Sequence, residues 1–123
     1  MHNIDSPRTD DSAIEHEIKA KGLTAPRVTP ADLSNNIANV FYFTAEEGAL
    51  SSGYQRFEGH DISLALLTFC VIVLKNGFTV TGESACASPE NFDAEIGRKI
   101  AFENAKQKIW PLMGYELRSK LAK

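Results

Sequence analysis

The sequence predicts a single α+β domain, in which an antiparallel β-hairpin-based sheet packs against a long C-terminal helix and one or two N-terminal helices. Three observations predict it. Leu64 to Cys86, LALLTFCVIVLKNGFTVTGESAC, joins a long apolar run to an alternating one through Asn76-Gly77, and an Asn-Gly pair between two strand-like runs marks a hairpin turn. Further on, Phe92, Ile96, Ile100, Ala101, Phe102, Ala105 and Ile109 form one wide apolar arc at helical spacing. Upstream, Thr29-Pro30-Ala31-Asp32 is a helix start, with Thr29 as N-cap and Pro30 at the first helical position. At 123 residues the chain has room for one core and not two.

Residues 1 to 10 are polar and read as a flexible tail, which leaves 11 to 123 as the domain. A first helix starts at Asp11 or Ser12 and ends at Gly22. Ile14 and Ile18 lie four apart on it, and Glu15 and Glu17 precede Lys19 and Lys21, as the helix dipole favours. The helix begun at Pro30 is expected to run to about Val40, because Leu33, Ile37, Val40 and Phe41 make one apolar stripe. Thr44 to Ile62 carries Gly48, Gly53 and Gly59 and no sustained period, so it reads as a loop with a short helical or extended piece. Arg56, between Tyr54 and Phe57, suits either a ligand grip or an ordinary surface arginine.

A two-residue turn at Asn76-Gly77 sets an expected hairpin register. Val73 then faces Val80, Val71 faces Gly82 and Phe69 faces Ser84 on a surface expected to be core. Leu74 with Thr79, Ile72 with Thr81 and Cys70 with Glu83 share the other surface. Its mixture of aliphatics and polar groups fits a small-molecule site, a subunit contact or partial cover by a helix equally well. After the hairpin, Ser88 with Pro89, or Asn91, caps a helix from about Phe92 to Trp110. Gly97, Ala101 and Ala105 recur every four residues and allow a close neighbour. Pro111 is expected to interrupt this helix, with a last helical piece from Leu112 to Leu121.

The composition, 43% hydrophobic and 24% charged, is that of an ordinary globular protein. Its net charge of -3 hides an asymmetry: Arg98 to Lys123 holds seven Lys or Arg against two Glu, so this segment carries +5 and the first 97 residues -8. A basic C-terminal segment attracts phosphates, nucleic acid or a neighbouring acidic surface, or is simply a solvated helix face. The expected register puts Cys70 and Cys86 on opposite faces of the sheet. That predicts two free thiols and fits a reducing cytoplasm. No signal peptide is visible, and the longest apolar run, Leu64 to Leu74, is too short to span a bilayer.

Catalytic patterns are largely absent from the sequence. His2, His16 and His60 are scattered, no His or Cys pair has metal-ligand spacing, and there is no GxxxxGK, GxSxG or GxGxxG motif. The expectation is a protein that is not an enzyme and needs no cofactor or metal. A pI near 5.6 and the lack of interleaved basic and aromatic residues argue against nucleic acid as the partner. Arg98 stands out because a helical wheel places it inside the apolar arc, where a guanidinium pairs with an acid such as Glu83, Asp93 or Glu95, or holds an anion.

The segments VTPADLSNNI, LTFCVIVLKNGFTVTGESACASPENFD and EIGRKIAFENAKQKIWPLMGYELRSKL, in that order, resemble the small phage protein family named after the gene 49 and gene 66 products of two tailed phages. The pattern is also similar to the Thoeris anti-defence sponge family, phage proteins that sequester cyclic ADP-ribose-type signals and, in some relatives, cyclic oligonucleotides. The second resemblance implies immune evasion in the cytoplasm of the infected bacterial host. It also implies reversible binding of a cyclic nucleotide second messenger without cleavage, and assembly as a homodimer or higher homo-oligomer. Such a ligand asks for an arginine, amide or hydroxyl donors and an aromatic surface, and the matching residues here are Phe78, Ser88, Asn91, Phe92 and Arg98. The same residues also suit purely structural work: Ser88 and Asn91 as caps, Phe78 and Phe92 as core. A host-protein-binding inhibitor module and a nucleic-acid accessory factor using the basic C-terminal helix stand as alternatives.

Overall fold

Three antiparallel strands in the order β1-β2-β3 frame the structure: β1 (Ile37–Thr44), β2 (Leu67–Leu74) and β3 (Thr79–Ala85). Around them the chain forms α1 (Asp11–Ala20), α2 (Pro30–Asn35), α3 (Ala45–Ser51), α4 (Ala94–Gln107) and α5 (Ile109–Leu121), with single 3-10 turns at Ser63–Leu66 and Pro89–Asn91. This computed structural model describes residues 11–57 and 62–123. The tail expected over residues 1 to 10, and residues 58–61 of the expected loop, lie outside the described residues. The predicted α+β class is the one observed.

The helix start at Thr29 forms as a full capping box, with the Asp32 amide donating to Thr29 Oγ1 and the Thr29 amide to Asp32 Oδ2, each at 3.0 Å. Its expected length is wrong. The helix stops at Asn35, Asn36 caps it, and the rest of the apolar stripe enters β1. The segment IANVFYFT is rich in β-branched and aromatic residues, which fit a pleated surface, and pairing with β2 satisfies its backbone. Leu33 is fully buried and Ile37 and Val40 pack against the same core, so the apolar stripe reaches its target from two elements. β1 is thus the strand that extends the hairpin.

The hairpin is present, but its register differs by one residue. Ile72 faces Val80, Cys70 faces Gly82, Thr68 faces Ser84, and Val73 and Val71 face Thr79 and Thr81. The cause lies in the turn. The Leu74 amide donates to the Phe78 carbonyl at 2.8 Å and the Gly77 amide to the Leu74 carbonyl at 2.9 Å, which makes a three-residue loop, Lys75-Asn76-Gly77. Gly77 has φ +90° while Asn76 stays at negative φ, so only one of the two turn residues takes the left-handed region that the two-residue form requires of both. A one-residue slip exchanges the faces of a strand. The core surface is therefore Thr68, Cys70, Ile72 and Leu74 with Val80, Gly82 and Ser84, all buried. The surface expected to be core, with Phe69, Val71 and Val73, is the one left open.

The same slip revises the cysteine geometry. Cys70 and Cys86 are both buried and both free, yet they share a face. Cys86 lies four residues along the chain from Gly82, the partner of Cys70, which separates the thiols by about 13 Å at strand spacing, too far for a disulfide.

α4 lies over β3 and β2. Its N-cap is Asp93, whose Oδ1 accepts from the Ile96 amide at 3.1 Å, rather than Ser88 or Asn91. Gly97, Ala101 and Ala105 are the buried positions of α4, and the expected close approach is made to Gly82. A Cβ at Gly82 would collide with the Ala101 carbonyl oxygen and the Ala105 amide nitrogen. The helix break falls at Lys108, before Pro111. Pro111 is the third residue of α5, in the first turn, where a missing amide costs no intrahelical bond. Leu33, Cys70, Ile72, Leu74, Val80, Ala101, Ala105 and Ile109 make the core.

Candidate ligand-binding groove

At the hairpin-turn end of the sheet, α2, the Lys75–Gly77 turn and α5 enclose a groove of about 630 Å³, within the size range of small-molecule sites. Leu74, Phe78, Leu112, Met113 and Leu117 give it apolar walls. Arg27, Asp32, Asn35, Asn36, Lys75, Asn76, Glu116 and Lys120 supply polar groups. Phe78 is 57% exposed, a flat apolar surface presented to solvent rather than to the core.

The amides of the groove have a fixed polarity. The Lys75 amide donates to both the backbone carbonyl of Asn36, at 2.9 Å, and its side-chain Oδ1, at 3.3 Å. The Phe78 amide donates to Asn76 Oδ1 at 2.9 Å. A backbone N–H can only donate, so these contacts assign oxygen and nitrogen on both side chains. Each carboxamide has committed its oxygen and retains its NH2 for further bonding. These bonds also dock the turn onto the end of α2, which makes that side of the groove preorganised.

Two of the charged groups are already engaged. Arg27 makes a two-pronged contact with Glu15, at 2.7 and 2.8 Å. The Arg27 fork holds the Glu15 carboxyl below its usual range, and Glu15 in turn raises Arg27. Asp32 is lowered by the bonds from Thr29 in the capping box. Among the described residues, Lys75, Lys120 and Glu116 make no ion pair. Two ammonium groups and two amide NH2 groups thus offer donors to an acceptor-rich ligand, against one uncommitted carboxylate.

Of the five residues singled out in sequence, Phe78 alone lines this groove. Ser88, Asn91 and Phe92 lie beyond the other end of β3, about 23 Å away at strand spacing. There Ser88 Oγ donates to Glu90 Oε1 at 2.8 Å, the Glu90 carboxyl is held low by its own amide and by Ser88, and the Asn91 amide donates to the Ser88 carbonyl. Phe92 is half-buried. Arg98 is exposed rather than inside the apolar face, and among the described residues it has no ion pair with Glu83, Asp93 or Glu95. Its charge reaches Tyr42, whose phenol is raised chiefly by burial while Arg98 pulls it down. Beside it, burial pushes the Cys70 thiol up to about 11. Arg56, the other arginine considered for a ligand, donates to both carboxylate oxygens of Glu46, at 3.2 and 3.0 Å. Among the described residues no cluster of three His, Cys, Asp or Glu has metal-site geometry, and no helix is long and apolar enough to cross a membrane.

Lys75, Asn76, Asn36 and Lys120 were missed by sequence reasoning. The available signal was the run Ser34-Asn35-Asn36, which ends a helix in amides, together with the lysine and asparagine of the turn.

Fold and groove together define a small α+β domain with a donor-rich cleft at one end of its sheet. Residues 28–121 match the model of the phage protein (N4 Gp49/phage Sf6 gene 66) family, and the chain belongs to that family. The matched span contains every groove residue named above except Arg27. No curated protein and no solved structure matches the chain.

Proposed function

We propose that this phage-family protein is an immune-evasion factor. It binds a cyclic nucleotide signal, of the cyclic ADP-ribose type or a cyclic oligonucleotide, and withholds it without cleavage in the cytoplasm of the infected host. The observation that carries this reading is the groove: a cleft of about 630 Å³ lined by Phe78, Lys75, Lys120 and the NH2 groups of Asn36 and Asn76. Phosphates suit the two ammonium groups, which act as compact point charges. A base suits the exposed face of Phe78, since stacking on an aromatic ring tolerates any base. The amide donors suit ribose, phosphate or ring acceptors.

Retention without turnover is supported by the groove's chemistry. Its lining holds no histidine, serine or cysteine, Asp32 is committed to the capping box, and Glu116 is the single carboxylate left there. Binding strength then comes from preorganisation, which the Asn36 and Asn76 contacts supply.

The test is capture. Purified protein is incubated with a panel of cyclic ADP-ribose isomers and cyclic di- and trinucleotides, freed of unbound ligand and heat-denatured, and the released material is identified by mass spectrometry. An intact ligand is expected. A hydrolysed ligand would make the protein an enzyme, and an empty eluate across the panel would overturn the nucleotide reading.

A further inference from the structure

We propose that Arg27 is a further anion contact of the groove, its guanidinium fork gripping one phosphate of the ligand. This rests on the reading of the groove as a nucleotide site and adds a residue that the reading does not use. Arg27 and Val28 line two cavities at once: the groove, and a smaller one of about 90 Å³ beside α1, which Ile14, Glu15, Ile18 and Trp110 also line. Glu15 lines the smaller cavity and not the groove, so its carboxylate meets Arg27 from the α1 side.

The geometry of the Glu15 contact leaves Arg27 able to bind a second anion. Nη1 donates to Glu15 Oε1 at 2.7 Å and Nη2 to Oε2 at 2.8 Å. The pair is end-on, and each terminal nitrogen gives one N–H to it. Nε–H and the second N–H of each terminal nitrogen remain, and among the described residues no hydrogen bond takes them. Nε–H and the N–H beside it form a second fork, whose spacing matches two oxygens on one phosphorus. The Arg27 side chain is 26% exposed, so it is partly shielded from water and still within reach of a ligand.

Arg27 brings to the groove what its lysines lack. Lys75 and Lys120 supply positive charge with little directional preference, whereas a planar fork fixes the orientation of the phosphate that it holds. The Glu15 contact already restrains the side chain, so less rotamer freedom is lost when the second fork is used. Asp32, the other carboxylate whose charge acts on Arg27, makes no ion pair with it, and the Thr29 amide takes its Oδ2. Arg27 and Glu15 both lie outside residues 28–121, which match the family, so the family match does not itself supply this contact.

The probe is inorganic pyrophosphate, titrated into the isotope-labelled intact chain and followed by NMR. The Arg27 Nε–H signal should shift together with the backbone amides of Lys75, Asn76 and Lys120. Arg27→Gln should weaken pyrophosphate binding at least about tenfold, the loss of a charge-assisted fork. Arg27→Lys keeps the charge and a possible pair with Glu15 but has no fork, and should weaken binding at least about threefold. Unchanged amide signals from the three strands and α4 check that both variants stay folded. Shifts at Lys75, Asn76 and Lys120 with Arg27 silent and both variants at wild-type affinity would overturn this proposal and leave the groove as an anion site. Wild-type affinity in Arg27→Lys with loss in Arg27→Gln would overturn the fork in favour of a point charge. No shift anywhere in the groove at tens of millimolar pyrophosphate would overturn the anion reading and this proposal together.

Discussion

Replacing Gly82 by alanine adds one methyl group to the chain at the place where helix and sheet backbones approach most closely. That methyl group would collide with the Ala101 carbonyl oxygen and the Ala105 amide nitrogen, and would sit 2.9 Å from Ala105 Cα. These are backbone atoms, which cannot rotate away as a side chain would. Restoring ordinary contact of 3.4 to 4 Å requires α4 to retreat, by on the order of 1 Å, and a gap of that size forfeits a quarter to a half of each van der Waals contact across the interface. The cost belongs at or above the upper end of overpacking, about 3 kcal/mol. With a urea dependence of about 1.5 kcal/mol/M for a domain of this size, the midpoint should fall by about 2 M. Two other glycines calibrate the measurement. At Gly97 the nearest neighbour is Thr68 Oγ1 at 3.1 Å, so Gly97→Ala loses about 1 kcal/mol to crowding and regains a similar amount in helix propensity. At Gly114 nothing lies within 4 Å, and Gly114→Ala should stabilise by about 0.5–1 kcal/mol. Equal midpoints for the Gly82 and Gly97 variants would refute the claim that β3 and α4 touch through backbone at Gly82.

Further consequences concern charge and capping. Glu15 titrates below its usual range because Arg27 holds the ionised form. The contact therefore stabilises α1 docking above the ordinary carboxylate pKa and is lost as pH falls through the lowered value. Glu15 and Trp110 line the same small cavity, so Trp110 fluorescence should change on acidification in the wild type and be insensitive there in Glu15→Gln. Thr29→Ala removes the side-chain half of the capping box and should cost about 1 kcal/mol in urea unfolding. Cys70, buried and raised to about 11, should resist a thiol reagent at pH 8 in the native state and react only on unfolding; rapid native labelling of Cys70 would contradict the register.

The hairpin and the C-terminal helix were legible because each carries its own period within one segment. What the sequence left undetermined was a matter of single dihedral angles. Asn76 tolerates either sign of φ, and its choice of negative φ turns a two-residue turn into a three-residue one and exchanges core for open face along β2. Ile37 to Thr44 carries apolar residues that satisfy both helical and strand spacing, and pairing with β2 decides between them. The stripe Gly97, Ala101 and Ala105 was legible as an approach surface, while its partner, Gly82, emerges only with the correct register. The groove was the least legible feature. It is assembled from residues 27–36, 74–78 and 112–120, and no one of these segments reads as a site alone.

The groove between α2, the turn and α5 is the proposed site of the anionic ligand. Titration calorimetry with the captured cyclic nucleotide, on the wild type, a Lys75→Ala/Lys120→Ala double variant and Arg98→Ala, tests it most directly. Binding should weaken by at least about a hundredfold in the double variant and stay within about twofold of wild type in Arg98→Ala, since removing two charge-assisted phosphate contacts costs about 1.5–3 kcal/mol each. Unchanged affinity in the double variant, with binding abolished by Arg98→Ala in a folded protein, would place the ligand at the start of α4 and contradict the account.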